Sequence, residues 1–72
     1  MVKINFKLSD LEPLEIQIAK PETLAHVLDM CQEKAEIDIG DFIGIRNSRV
    51  ITLDQMVKNG DEINIFPAIS GG

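Results

Sequence analysis

The sequence has few of the residues that build catalytic and metal centres. Its 72 residues include one cysteine, one histidine, three phenylalanines and no tryptophan or tyrosine. A single cysteine forms no internal disulfide and is typical of a reducing compartment. One histidine and one cysteine do not make a metal site, because zinc requires three or four ligands. No Cys–His–Asp set at a recognisable spacing indicates nucleophilic catalysis by the chain itself.

Long apolar segments and an excess of basic residues are also missing. Unbroken apolar stretches are only a few residues long, whereas a membrane helix needs roughly 20 residues. The first five residues alternate in polarity and do not resemble a signal peptide. With 12 acidic and 7 basic residues, the formal charge is -5, which disfavours nucleic acid and anionic lipid as partners. We therefore expect a cytoplasmic protein with neither nucleic-acid nor membrane partners. The acidic balance suits a partner with a basic docking surface, although solubility alone also explains it.

The length limits what the chain can enclose. A domain this short buries only about 60% of its unfolded surface, so its core is thin. Catalysis needs a cleft with clustered polar groups, and the sequence offers neither. We therefore do not expect an enzyme in its own right.

Alternating polarity predicts a β-hairpin at the N-terminal end. Residues 2–8 and 14–18 each place apolar side chains on one face, and turn-forming residues lie between them. Lys3, Asn5 and Lys7 occupy the opposite face of the first strand. The apolar face comprises Val2, Ile4, Phe6, Leu8, Leu14, Ile16 and Ile18.

A helix is predicted next, over residues 24–35. Pro21 breaks the second strand, and Thr23 is a suitable N-cap because its hydroxyl can accept from a free backbone N–H. Apolar residues then recur at helical spacing. Cys31 lies on this apolar stripe and is interpreted as a small core residue, while His26 lies on the solvated face.

The second half of the chain is built from short segments. Strands are predicted at residues 42–46, 49–51 and 62–66, with one helical turn at 53–57 and a Gly-containing turn at 59–61. Arg46 and Arg49, like Lys3 and Lys7, are interpreted as part of a solvated sheet face. The order predicts one α+β domain over residues 1–66, in which a four- to five-stranded mixed sheet packs on one main helix.

The last six residues, 67–72, carry no periodicity and predict a flexible tail that ends in Gly71-Gly72. Fully extended, six residues reach roughly 20 Å. A carboxylate is a poor electrophile, so an enzyme must first convert it to a mixed anhydride, usually with AMP from ATP. The end of the chain must then enter a narrow channel, which glycine permits because it has no side chain. A cut linker that happens to end in two glycines is the alternative.

The order of elements resembles the ubiquitin-like β-grasp fold. Within that group, residues 59–63 (Asn-Gly-Asp-Glu-Ile) and 65–72 (Ile-Phe-Pro-Ala-Ile-Ser-Gly-Gly) resemble the prokaryotic sulfur-carrier family. The resemblance covers essentially the whole chain. Members of that family include the small subunit of molybdopterin synthase and the sulfur carrier of thiamine biosynthesis.

The resemblance implies a function for the C-terminus. A ubiquitin-activating-type adenylyltransferase would use ATP to adenylate the carboxylate of Gly72, and a sulfur donor would convert it to a thiocarboxylate. The carrier would then deliver sulfur on the large subunit of a synthase or on another acceptor enzyme. Gly71 would give clearance, and no bound cofactor or metal is implied. The partner-binding residues that the resemblance implies are Phe66, Pro67, Ile69 and Ser70.

Several branches of function remain open. Phe66-Pro67 favours the molybdopterin branch, where Phe-Pro-Pro is common, although Ala68 stands in place of the second proline. A carrier for thiamine or another sulfur pathway is one alternative. A ubiquitin-like modifier that forms isopeptide bonds is another, and a β-grasp interaction module with an accidental tail is a third.

Overall fold

Short alternating segments form seven strands around a single helix. The structure, a computed structural model, describes residues 1–68 of the chain. In chain order the elements are β1 (Val2–Phe6), β2 (Leu14–Ile16), β3 (Glu22–Thr23), α1 (Leu24–Ala35), β4 (Phe42–Arg46), β5 (Arg49–Ile51), β6 (Met56–Val57) and β7 (Glu62–Pro67). The helix and the strands at 42–46 and 49–51 have the bounds that the sequence predicts.

The main sheet is mixed and has its last strand in the middle. Its five strands run in the order β2-β1-β7-β4-β5, and a separate two-stranded sheet joins β3 to β6. β1 is antiparallel to β2 and parallel to β7, while β4 is antiparallel to both β7 and β5. The two ends of the chain therefore supply neighbouring central strands. The prediction of a mixed sheet of four to five strands is confirmed.

The core lies between one face of this sheet and the helix. Each strand turns alternate residues inward, as the period-two pattern requires, and α1 turns its apolar stripe toward them. Cys31 is fully buried in this layer, as predicted. The buried apolar residues are Val2, Ile4, Phe6, Ile16, Ile18, Leu24, Val27, Leu28, Cys31, Ile51, Val57, Ile63 and Ile65.

Both ends of α1 are capped by local hydrogen bonds. The hydroxyl of Thr23 accepts from the His26 N–H at 3.2 Å, as its position before the helix predicts. At the other end Glu36 takes a left-handed conformation with φ 55°, and the Ile37 N–H donates to the Gln32 carbonyl at 3.1 Å. A left-handed residue of this kind ends many helices.

The prediction of a helical turn over 53–57 was wrong. The Gln55 N–H donates to the Thr52 carbonyl at 3.1 Å and closes a turn, and the two residues after this turn are extended. Met56 and Val57 form β6, which pairs with β3. The first N–H groups of a helix need acceptors outside it. Here the carbonyls of Gln55 and Leu53 accept from Leu24 and Ala25 at 2.8 and 3.0 Å. A helical turn over 53–57 would aim those carbonyls along its own axis, so the observed turn and the strand after it serve the start of α1.

Three strand ends also differ from the prediction. β2 ends at Ile16 rather than at residue 18, although Ile18 is buried as predicted. β1 stops at Phe6, and Leu8 is not on the inner face: it has φ 56° and is 81% exposed. β7 runs to Pro67, one residue past the predicted end, and the Ala68 N–H donates to the Asp41 carbonyl at 3.1 Å. Ordered pairing thus extends into the segment that the sequence assigned to the tail.

The turn before β7 is stabilised by hydrogen bonds from both its backbone and a side chain. The Asp61 N–H donates to the Lys58 carbonyl at 3.1 Å, and Gly60 has φ 97°, which suits glycine at this place in a turn. The Asn59 amide donates to the Ile18 carbonyl at 2.9 Å. Part of the Asn-Gly-Asp-Glu-Ile motif therefore serves the fold, because it sets the start of the central strand.

Candidate functional site

The end of β7 is the candidate site, because the chain leaves the sheet there on its way to Gly72. Pro67 lies opposite Phe42 and Phe66 opposite Ile43 in the antiparallel pairing with β4. The hydrogen bond from Ala68 to Asp41 continues this pairing beyond the strand. The exit direction is therefore fixed by a central strand rather than by a loop.

Phe66 and Pro67 face opposite sides of the sheet. Side chains alternate along a strand, and Ile63 and Ile65 are buried against the helix. Pro67 is two residues after Ile65, so its side chain lies on the same helix-facing side of the sheet. The side chain of Phe66, between them, lies on the outer face. The sequence resemblance implied that both residues bind a partner, and the fold gives each of them a different surface.

On the outer face Phe66 belongs to an apolar patch. We call Ile43, Ile45, Val50 and Phe66 the outer patch. Ile43 lies opposite Phe66, and Ile45 lies opposite Val50. Ile43 is 44% exposed and Val50 is 68% exposed, which is a large apolar exposure for neighbouring residues of one sheet. The outer patch is therefore a candidate interaction surface.

Sequence reasoning missed three members of the outer patch. The signal was present, because Phe42, Ile43 and Ile45 make both faces of one strand apolar. In a strand with one face toward solvent, apolar and polar residues alternate. Apolar residues on both faces therefore indicate that a partner covers the second face. The pairing with Val50 and Phe66 follows only from the strand order.

The other half of the outer face is polar. The Asn5 amide donates to the Glu62 carboxylate at 2.6 Å and to the Asn64 side-chain oxygen at 3.0 Å. Lys3 lies between Glu15 and Glu62 in the register of the neighbouring strands. This polar half follows the ordinary pattern of a solvated sheet face and borders the outer patch along β7.

Arg46 has a structural role in this fold. Its guanidinium donates to the Asp61 carboxylate at 3.1 Å and to the Met56 carbonyl at 2.8 Å. Asp61 also accepts from the Lys58 N–H at 3.0 Å. One arginine therefore joins β4, β6 and the turn before β7. Arg49 is exposed in the following hairpin.

The two residues with reactive side chains lie away from the exit. Burial raises the pKa of the Cys31 thiol to about 11, so little thiolate forms at neutral pH and the thiol is a weak nucleophile. His26 is largely exposed on α1, with its ring nitrogen 3.8 Å from the Glu22 carboxylate. The predictions of a core cysteine and a solvated histidine agree with these positions.

Residues 1–68 show no group of three His, Cys, Asp or Glu side chains that could hold a metal ion. In the same part of the chain, no helix is long and apolar enough to cross a membrane. The predicted residues Ile69, Ser70, Gly71 and Gly72 lie outside the described residues.

The fold and the exit of its central strand define a ubiquitin-like β-grasp protein. Solved structures with this fold include SAMP1 from Haloferax volcanii, with a TM-score of 0.76 and 19% identity, where 99% of this chain and 98% of that chain are covered. The ubiquitin of Caldiarchaeum subterraneum gives a TM-score of 0.71 at 18% identity, with 99% and 95% covered. At these identities the likeness shows the fold, and the predicted β-grasp class is confirmed.

A third solved structure lies nearer in sequence. It is a complex of subunits 1 and 2 of the molybdopterin-converting factor from Helicobacter pylori 26695, with a TM-score of 0.70, 25% identity, and 99% and 97% of the two chains covered. No curated protein matches the chain significantly in sequence. The family profile described as "ThiS family" matches residues 2–72. The chain belongs to the ThiS family of ubiquitin-like sulfur carriers, as the sequence resemblance indicated.

Proposed function

We propose that this chain carries sulfur as a thiocarboxylate formed on its C-terminal Gly72. The observation that carries the proposal is the ThiS-family match, which runs through Gly72 itself. The fold supports it, because β7, the last strand before the tail, ends at Pro67 beside the apolar side chains of Phe66 and Ile43. Gly71 gives the clearance that a narrow active-site channel requires.

The chemistry needs two steps on a partner enzyme. An oxygen of the Gly72 carboxylate attacks the α-phosphorus of ATP, so that an acyl-adenylate forms and pyrophosphate leaves. Sulfur at the oxidation level of sulfide then attacks the acyl carbon, a C–S bond forms, and AMP leaves with the oxygen. After the sulfur is transferred to an acceptor, an oxygen from water restores the carboxylate. The ATP is a substrate of the activating enzyme.

The carrier's own contribution is positioning. An adenylating enzyme must hold the tail in line with ATP, and correct placement supplies much of the rate of such a reaction. A rigid central strand ending at Pro67 gives a fixed origin for the tail. The outer patch offers the apolar area by which the activating enzyme and the sulfur acceptor would hold the domain. We assign the reaction itself to the partner enzymes.

We favour the molybdopterin branch for the recipient of the sulfur. Phe66-Pro67 at the end of β7 is the sequence feature behind this choice. The likeness to a complex of molybdopterin-converting factor subunits supports a synthase large subunit as the acceptor. A thiamine or other-pathway acceptor, and a role as a protein modifier, are outcomes that the following experiment distinguishes.

The test is thiocarboxylate formation with the cognate activating enzyme, ATP and sulfide, followed by intact mass. Replacing one oxygen by sulfur adds about 16 Da, and the product should react with iodoacetamide at neutral pH. A Cys31→Ala variant removes the only thiol of the chain, so its alkylation reports the thiocarboxylate alone. A variant that lacks Gly72 should gain neither mass nor reactivity.

Two results would count against the proposal. No mass gain with any cognate activating enzyme would exclude a thiocarboxylate carrier. Isopeptide conjugates in cell extract that disappear without Gly72, with no thiocarboxylate present, would indicate a protein modifier instead. Sulfur transfer from the loaded carrier to a synthase large subunit, compared with transfer to a thiamine-pathway acceptor, would then decide the branch.

A further inference from the structure

A second surface lies at the same end of the sheet, on the side opposite the outer patch. It is a groove of about 430 Å³ between the β1–β2 loop and the segment that leads into β4. We call it the end groove. Its apolar lining includes Phe6, Leu8, Leu11, Ile39, Phe42 and Pro67. Pro67 belongs to this lining because its side chain faces away from Phe66.

Leu8 is the unusual residue of the end groove. It is 81% exposed and has φ 56°, a conformation that a bulky residue adopts only at a cost. An exposed leucine in a left-handed turn helps neither the core nor the loop. Glycine or asparagine would suit the same backbone better. Both the exposure of the Leu8 side chain and its left-handed backbone are unfavourable for folding. A residue of this kind indicates a role in binding rather than in stability.

Two hydrogen bonds hold the loop that carries Leu8, one to β7 and one within the loop. The Lys7 N–H donates to the Ile65 carbonyl at 2.8 Å, and the Leu11 N–H donates to the Ser9 hydroxyl at 3.1 Å. Leu11, which is 41% exposed, is thereby held on the same wall as Leu8. The apolar groups of this wall are presented in place, which lowers the cost of ordering them on binding.

Two acidic residues line the end groove, one on each wall. Asp10 lies on the wall that carries Leu8, and Asp38 lies on the facing wall. Lys7 is the single basic residue of the lining. This arrangement fits an apolar segment flanked by lysine or arginine and disfavours an acidic segment.

The position of the end groove limits which partner can use it. Four residues follow Ala68, and they span at most about 14 Å even when fully extended. An enzyme that holds the Gly72 carboxylate must therefore lie close to this end of the sheet. An adenylating enzyme also gathers the phosphates of ATP and a carboxylate, and these anions require cationic surroundings. The acidic rim of the groove complements such a surface.

We propose that the end groove binds an apolar segment, flanked by basic residues, of the enzyme that adenylates Gly72. This inference rests on the proposed function and assigns a partner to a surface separate from the outer patch. The two surfaces lie on opposite faces of the sheet at the exit of β7. An enzyme that contacts both the outer patch and the end groove would bind the domain on both sides of β7, the strand that leads into the tail.

The test is ATP–pyrophosphate exchange by the cognate activating enzyme, with the carrier as the varied substrate. Leu8→Asn keeps a residue that tolerates the left-handed turn but removes the apolar side chain. We expect its KM for the carrier to rise about tenfold, as for an interface anchor, with kcat retained. Leu53→Asn is the matched control, since Leu53 is 50% exposed but does not line the end groove.

A second pair of variants tests whether the acidic residues of the end groove contribute to binding. Asp10→Lys should raise the KM several-fold, and the difference from wild type should shrink as salt is added. Glu12→Lys makes the same change in net charge on the same loop, outside the lining, and should leave the KM nearly unchanged. Thermal melting of each variant confirms that it folds. Leu8→Asn should melt no lower than wild type if the leucine serves binding rather than stability.

The outcomes separate the two proposals. Normal exchange with a KM for Leu8→Asn within about twofold of the Leu53→Asn value would overturn the groove proposal and leave the sulfur-carrier function standing. A lower melting temperature that explains the whole loss of activity would also overturn it. No exchange with the wild-type chain would refute the proposed function, and with it the assignment of this partner.

Discussion

At the residue scale, the β4–β5 hairpin shows how backbone conformation and sequence can disagree. Asn47 and Ser48 connect the paired residues Arg46 and Arg49, with φ of 53° and 64°. Two consecutive left-handed residues are the mark of a type I′ turn, whose twist matches that of the strands. Asparagine tolerates this conformation, whereas serine does so less well. Glycine is the residue favoured at the second position.

We therefore expect Ser48→Gly to stabilise the protein by about 0.5–1 kcal/mol, because it relieves the left-handed strain at the second turn position. Urea unfolding would measure the change in the free energy of unfolding. Asn47→Gly should have a smaller effect, since asparagine already suits its position. A loss of stability in Ser48→Gly would mean that the extra freedom of glycine in the unfolded chain outweighs the strain.

At the element scale, α1 depends on the contact between its first turn and Thr23. The Thr23 hydroxyl is the side-chain acceptor for the His26 N–H, and the β3–β6 pairing places the same residue opposite Met56. The N-cap therefore also belongs to the small second sheet. This coupling explains why the helix begins where it does and why Met56 and Val57 are extended.

We expect Thr23→Ala to lower the free energy of unfolding by about 1 kcal/mol, because it leaves the His26 N–H without its side-chain acceptor. Chemical denaturation with circular dichroism would measure the loss. Thr23→Ser retains the hydroxyl and should recover most of the stability. If serine were as destabilising as alanine, the packing of the threonine methyl group rather than the cap would account for the effect.

At the scale of the whole molecule, the central place of β7 makes folding depend on the last part of the chain. β7 lies between β1 and β4 and buries Ile63 and Ile65 in the core. Its parallel pairing with β1 joins residues almost a full chain apart. A strand in this position cannot be lost without exposing both neighbours.

We expect deletion of residues 62–72 to leave the chain unfolded, whereas deletion of Gly71 and Gly72 should leave the melting temperature nearly unchanged. The physical reason is that, within residues 1–68, the buried apolar side chains all lie between Val2 and Ile65. Thermal unfolding and amide dispersion by NMR would distinguish the two variants. Cooperative melting of the shorter chain would contradict the central role of β7. A large drop in the longer one would mean that the terminal glycines also serve the fold.

Much of the local structure could be predicted because it depends on neighbours in the sequence. The helix over 24–35 follows from its apolar spacing and from Thr23, and the hairpin at residues 46–49 follows from its turn residues. Leu8 was misplaced because alternation alone does not show where a strand ends. The form of residues 53–57 depends on the N–H groups of Leu24 and Ala25, which are distant in sequence. Pattern reasoning has no access to such a contact.

The sequence by itself determined the order of the five main strands and the helix, the β-grasp class, the core position of Cys31 and the Gly71-Gly72 end on which the proposed function depends. Periodicity and turn chemistry are local, so they can be read without knowing the partners of each strand. Only the tertiary structure decided that Phe66 and Pro67 serve opposite surfaces. It also brought Ile43 beside Phe66 and Val50 beside Ile45, and it placed Leu8 and Asp38 in one groove. Those neighbours come from strand order and from loops that meet across the sheet, because contacts between distant residues exist only after the chain has folded.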